Sequence, residues 1–115
     1  MSPITTHVLD LELGRPAAGV EVRLEVFVPD RRVWVELSKR KTDADGRVKD
    51  LLDTGAPLDT GTHRITFGTG AYFAARGAKT FYPAVTVEFE ITEPAQHHHV
   101  PLLVSPFGYS TYRGS

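Results

Sequence analysis

The run from Val20 to Val28 constrains this chain more than any other stretch. Val20, Val22, Leu24, Val26 and Val28 alternate with Glu21, Arg23, Glu25 and Phe27. A period of two sets the Val/Leu series on one face of a β-strand and a mostly polar series on the other, whereas a helix would scatter both around its circumference. The same period recurs along the chain. Ile4 to Leu11 reads as a first strand, and Val33, Val35 and Leu37 alternate with Trp34 and Glu36 in a third. A short strand from Arg47 to Leu51 follows the tight polar turn Asp43-Ala44-Asp45-Gly46. Thr62 to Phe67 alternates again, as do Val85, Val87, Phe89 and Ile91 after Pro83. Val100 to Val104 and Gly108 to Arg113 form a last pair across Ser105-Pro106-Phe107. Residues 14–19 and 52–61 are rich in turn formers, and Ala71 to Arg76, ended by Gly77, reads as the one short helix. Seven to eight short strands with one short helix predict an all-β fold, an antiparallel β-sandwich. At 115 residues, with no linker or repeat, residues 1–115 form a single domain.

Composition then removes whole classes of function. Lys+Arg 13 against Asp+Glu 14 gives no electrostatic draw toward nucleic acid or an anionic membrane. The absence of Cys excludes a disulfide scaffold, a thiolate metal site and a Cys nucleophile together. No apolar stretch approaches the ~18 residues of a spanning helix. The opening residues, Met1 to His7, show neither the basic nor the apolar region of a secretory signal, so a cytoplasmic protein is expected. There is no GxSxG nucleophile elbow and no phosphate-cradling glycine loop.

One strand differs from the rest. In His97-His98-His99-Val100-Pro101-Leu102-Leu103-Val104, the residues Val100, Leu102 and Val104 supply a core face. His99, Pro101 and Leu103 make the opposite face, which is largely apolar as well. A strand apolar on both sides is normally covered on both sides. A chain this short has little left to provide the second cover, so a homo-oligomer with this strand near a subunit interface is expected.

Five His residues carry the chemical potential of the chain. A neutral imidazole is both the commonest general base near pH 7 and a common metal ligand. His97 and His99 share a strand face about 6.5–7 Å apart. No HExxH helix, Cys pair or Asp-rich loop accompanies them, so a metal site is not expected. Taken singly, His7 is an ordinary strand His and Arg47 a solvated charge beside a turn. Composition and spacing leave the activity open.

Taken together, three segments resemble the 5-hydroxyisourate hydrolase family, the transthyretin-like enzymes of urate breakdown. The first is Thr6-His7-Val8-Leu9-Asp10 with Gly14-Arg15-Pro16-Ala17, and the second is Thr42-Asp43-Ala44-Asp45-Gly46-Arg47. The third runs from His99-Val100-Pro101-Leu102-Leu103 through Ser105-Pro106-Phe107-Gly108 to Tyr112-Arg113-Gly114-Ser115. The likeness spans nearly the whole chain. It implies a transthyretin-like sandwich, a homotetramer, and sites in a channel at the dimer–dimer interface. It also implies hydrolysis of 5-hydroxyisourate to 2-oxo-4-hydroxy-4-carboxy-5-ureidoimidazoline, with no metal or organic cofactor. By the same resemblance His7, Arg47, His99 and Ser115 are the catalytic set, and Tyr112, Arg113 and Gly114 complete the substrate site. His97 shares the face of His99 and is a weaker candidate. His98 faces the other way, and His63 has no assigned role. Two alternatives remain: a transthyretin-type carrier of small ligands without chemistry, and a metal-binding β-domain built on His97 and His99. The carrier branch lacks the His and Arg set and the Tyr-Arg-Gly-Ser ending.

Overall fold

The alternating series place their apolar members as the period requires. A computed structural model describes residues 2–115. In β1 (Ile4–Asp10), Ile4, Thr6, Val8 and Asp10 are buried, while Thr5, His7 and Leu9 lie half-buried on the opposite face. After β2 (Arg15–Pro16) come β3 (Glu21–Val28), β4 (Val33–Lys41), β5 (Arg47–Val48) and β6 (Gly61–Phe67). The helix α1 (Thr69–Ala75) precedes β7 (Val85–Ile91), β8 (His98–Ser105) and β9 (Gly108–Thr111). Among the described residues there are thus seven strands of four residues or more, with two short two-residue ones.

The strands form two sheets. One has the order β2-β1-β8-β9, with β5 joining β1 on the side it shares with β2; the other has the order β4-β3-β6-β7. Between them lie Val8, Val22, Leu24, Ile65, Phe67 and Leu102, each fully buried. Phe73 of α1 reaches the same core. Burying a Leu or Phe side chain contributes about 1.5–3 kcal/mol, so this shared layer is the main source of stability. Among the described residues no helix is long and apolar enough to cross a membrane.

Three features differ from a simple reading of the alternation. The pairing of β1 with β8 is parallel, from Ile4 opposite His98 to Asp10 opposite Val104. All other strand pairs are antiparallel, among the described residues. A register shift opposite Leu24 and Glu25 leaves Leu37 unpaired in β4, and Val33, Val35 and Leu37 are exposed. The far end of the β3–β4 hairpin extends past β6, whose pairing with β3 ends at Val26 opposite His63. The outer face of β8 needs less cover than expected, because Pro101 is buried within this chain while His99 and Leu103 are half-buried.

Proline 101 also explains where β9 stops. Its nitrogen has no proton to give the ladder, and its carbonyl accepts from Thr111 Oγ1 at 2.7 Å. Pairing ends at Leu102 opposite Thr111, two residues short of the Arg113 end expected. The chain then returns to β8 at a single point, where Gly114 bridges His99.

Candidate active site

The outer face of the first sheet collects side chains from three distant parts of the chain. β5 is only two residues long, yet it sets His7 opposite Arg47. Directly opposed residues in an antiparallel pair carry their Cβ atoms about 4.5–5.5 Å apart, so imidazole and guanidinium leave the sheet side by side. The turn before β5 fixes this register. Asp43 Oδ1 accepts from the backbone N–H groups of Asp45 at 2.9 Å and Arg47 at 3.0 Å. Those bonds, that from Arg47 first, hold the Asp43 carboxyl below its usual pKa.

Gly46 lets the turn dock on β1. Its φ is +74°, and a β-carbon there would stand 2.4 Å from the Val8 carbonyl oxygen. Docked in this way, the turn offers the Asp45 carbonyl to His7 Nε2 at 2.8 Å. A carbonyl only accepts, so Nε2 carries the proton, and a neutral His7 presents Nδ1 as its free acceptor.

The parallel pairing of β1 with β8 brings in the second imidazole. Thr5, two residues before His7 on the same face, stands opposite His99. Its Oγ1 lies 2.8 Å from His99 Nδ1 and 2.9 Å from His97 Nε2. The two imidazole rings are 6.5 Å apart, as their shared strand face predicts. Burial pushes the His99 pKa down from its ordinary value, and the charges of Arg47, His7 and His97 push the same way. A hydrogen bond from the imidazole to the Thr5 backbone opposes them. The balance favours neutral His99 at pH 7, with Nε2 free of Thr5.

The last residues close the site from the β9 side. Gly114 N donates to the His99 carbonyl at 2.9 Å. A cleft of about 340 Å³ then opens between Thr5, Arg47, Lys49, His97, His99 and Ser115. His7 stands beside Arg47 and not in the wall of this cleft. Tyr112 is exposed, and Arg113 Nη2 donates to Gln96 Oε1 at 3.0 Å. Both border a separate cavity of about 220 Å³ between the edges of the two sheets. Of the expected set, the chain therefore gathers Arg47, His99 and Ser115 in one cleft with His7 and Gly114 adjoining it. Tyr112 and Arg113 line the second cavity, which His99 also borders.

The remaining His residues point elsewhere. His98 is buried, as its opposite strand parity requires, and burial lowers its pKa. His63 is fully buried, donates from Nδ1 to the Gly61 carbonyl at 3.0 Å and stacks on Phe89. Thr5 and Lys49 had no assigned place in the site. Thr5 shares the His7 face by simple alternation, but its partners lie 92 and 94 residues away.

The chain is similar to known proteins over nearly its full length. The model of the HIUase/Transthyretin family matches residues 4–114. The 5-hydroxyisourate hydrolase of Mus musculus is 46% identical over 114 residues, covering 99% of this chain and 96% of that protein. The solved structure of Klebsiella pneumoniae 5-hydroxyisourate hydrolase superimposes with a TM-score of 0.85 at 37% identity, covering 97% of this chain and 98% of that one. Sea bream transthyretin in complex with thyroxine gives a TM-score of 0.87 at 30% identity, covering 97% and 94%.

Proposed function

Because the chain belongs to the HIUase/Transthyretin family, we propose that it hydrolyses 5-hydroxyisourate to 2-oxo-4-hydroxy-4-carboxy-5-ureidoimidazoline. One observation carries the reading: His7, Arg47 and His99, far apart in sequence, leave neighbouring strands on the same exposed sheet face. Fold likeness alone does not choose between hydrolase and carrier, since both solved relatives superimpose equally well. The side chains make the choice. A carrier needs an apolar pocket, whereas this cleft presents two imidazoles bonded to one hydroxyl beside a guanidinium and an ammonium.

In this reading His99 Nε2 takes a proton from water, and the water oxygen adds to a ring carbonyl of the substrate. Positioned base catalysis of this kind contributes about 10²–10⁴-fold. The guanidinium of Arg47 faces the developing oxyanion, where charge stabilisation matters most. The ring C–N bond then breaks, the nitrogen receives the proton held on His99 Nε2, and the carbonyl carbon becomes the carboxyl group of the ring-opened product. His7 Nδ1 accepts from a ring N–H and orients the substrate, and the Ser115 hydroxyl holds the water. Gly114 brings the closing segment against His99, and Tyr112 and Arg113 bind substrate from the cavity that they share with His99. No step needs a metal, an organic cofactor or a covalent enzyme intermediate.

The assembly in this reading is a cytoplasmic homotetramer with the cleft at its dimer–dimer interface. Support comes from Leu103, half-uncovered on the strand face that carries His99, and from the open edges of β7 and β9. The test of function generates 5-hydroxyisourate in situ with urate oxidase and follows its decay by ultraviolet absorbance. Decay faster than the spontaneous rate is expected. An unchanged rate at micromolar protein, with the assembly intact, leaves the carrier reading in its place.

A further inference from the structure

The mechanism above uses His99 Nε2 but leaves unexplained what holds the other nitrogen. Thr5 Oγ1 sits between two imidazoles, 2.8 Å from His99 Nδ1 and 2.9 Å from His97 Nε2. A hydroxyl has one proton and two lone pairs, so it can donate to one ring while it accepts from the other. With both rings neutral, that rule allows two matched settings. In the first, Thr5 donates to His97 Nε2 and accepts from His99 Nδ1–H, which leaves His99 Nε2 a bare lone pair facing the cleft. In the second, every bond is reversed, and His99 presents Nε2–H. The first setting is a base and the second an acid.

We propose that Thr5 and His97 are positioning residues that set the His99 tautomer and carry its proton to and from solvent. The proposal rests on the hydrolase reading for its reaction, though its geometry does not. When His99 Nε2 takes a proton from water, His99 Nδ1 releases its own to Thr5 Oγ1. Thr5 passes its hydroxyl proton to His97 Nε2, and His97, which is exposed, loses the Nδ1 proton to solvent. One proton enters the chain and one leaves, and the bonds are left in the second setting. His99 is then a neutral acid with Nε2–H ready for the leaving nitrogen. After that transfer, solvent protonates His97 Nδ1 and the reverse passage restores the base. No charge stays on the half-buried His99, where Arg47 would oppose it.

Other groups that face His99 must be kept in view when its titration is read. Arg47 and Lys49 face it from β5 and the residue after it, His7 from β1, and His97 from its own segment. Across the cavity behind it stand Glu88 and Glu90 of β7, with Arg113 of the closing segment.

The experiment compares the intact parent protein with Thr5→Val, Thr5→Ser and His97→Gln. Nitrogen-15 NMR of the imidazoles, without substrate, reads the tautomer of His99. Thr5→Val is expected to shift the Nδ1-H to Nε2-H ratio of His99, and Thr5→Ser to restore it. In the decay assay Thr5→Val should lower kcat roughly tenfold or more with KM within about twofold, and Thr5→Ser should recover most of the loss. His97→Gln keeps a hydrogen bond to Thr5 but cannot carry a proton. Its kcat should fall and then rise with the concentration of added imidazole buffer, to which the parent is insensitive. An unchanged His99 tautomer in Thr5→Val, or a Ser variant as impaired as the Val variant, overturns the proposal. So does a His97→Gln enzyme at full rate. The expected tautomer shift in Thr5→Val, with a parent protein that never accelerates decay, overturns the assigned reaction and leaves the bonded chain standing.

Discussion

Gly114 lies directly against the ring of His99. Its nitrogen donates to the His99 carbonyl at 2.9 Å, and a β-carbon at position 114 would stand 2.5 Å from Cδ2 of the imidazole. The closing segment can reach the cleft only because this position has no side chain. In Gly114→Ala either the imidazole or the segment that carries Ser115 must move. Misplacement of a reacting group by about 1 Å can cost on the order of 10²-fold. We expect kcat to fall by about that factor, with the melting temperature close to the parent's because the site is on the surface. Steady-state decay rates together with thermal unfolding check this; full activity in a folded Gly114→Ala protein would show that the contact does not position His99.

The pH dependence of the reaction should carry the signature of Arg47. Burial is the largest influence lowering the His99 pKa, and Arg47 is the next. A base with a depressed pKa stays neutral further into acid, so the acid limb of kcat/KM should lie below the ordinary His value of ~6.5. Replacing Arg47 with Gln removes one of those influences, and the limb should move toward higher pH as the maximum rate drops. The same group enters stability with a defined sign. A depressed folded pKa contributes stability that is present above the unfolded pKa and is lost as pH falls through the folded one. A limb that stays fixed in Arg47→Gln would separate Arg47 from His99 in the working enzyme.

The turn at Gly46 should couple stability to activity. A β-carbon there meets the Val8 carbonyl oxygen at 2.4 Å and would occupy the φ of +74° that side chains avoid. Gly46→Ala must lift the turn from β1 or strain it, at a cost of about 1–3 kcal/mol. Because that turn offers the Asp45 carbonyl to His7 and sets Arg47 in register, turnover should fall as well. Urea unfolding and the decay assay on one preparation would show both losses. A variant as stable as the parent would mean that the turn is not docked as described.

How much of this was legible in the sequence follows from the range of the interactions. The alternation of Val20 to Val28 made β3 plain, and the parity of three consecutive His residues put His97 and His99 on one face with His98 on the other, which the structure buries. Pairing between distant strands left no such mark. Nothing local to Thr5 announces that β8 will lie parallel beside it, 94 residues later, and place two imidazoles on its hydroxyl. The irregularity opposite Leu24 was equally silent: alternation marks Val33, Val35 and Leu37 as one strand face but not that this face is exposed. His7, Arg47 and His99 became readable as a set only through resemblance, because each alone is an unremarkable surface residue. Tyr112 and Arg113 also came from resemblance alone, since the segment leaves β9 at Thr111 and no strand alternation marks their place beside the cavity they share with His99.

A change on the other sheet should separate folding from catalysis. Glu25 is buried, yet its carboxylate receives Arg64 Nε at 2.8 Å and Nη2 at 3.3 Å. Arg64 in turn lies over the Trp34 ring, 4.1 Å from its centre. The bond from Arg64 is the largest influence that holds the Glu25 pKa below its usual value, with burial opposing. Arg64→Ala removes a charged hydrogen-bond donor of a kind worth about 1.5–3 kcal/mol and leaves the carboxylate with Arg23 Nε, 3.6 Å from Oε1, as its remaining cation. The parent should therefore be more stable than the variant at pH 7, and the gap should narrow as pH falls through the folded pKa of Glu25 and the carboxyl protonates. Turnover per folded molecule should match the parent, because β3 and β6 belong to the sheet opposite the cleft. Unfolding curves at pH 7 and pH 4 with parallel rate measurements decide the matter. A loss of turnover without a loss of stability would tie the second sheet to the chemistry, and a stability gap independent of pH would remove Glu25 as its cause.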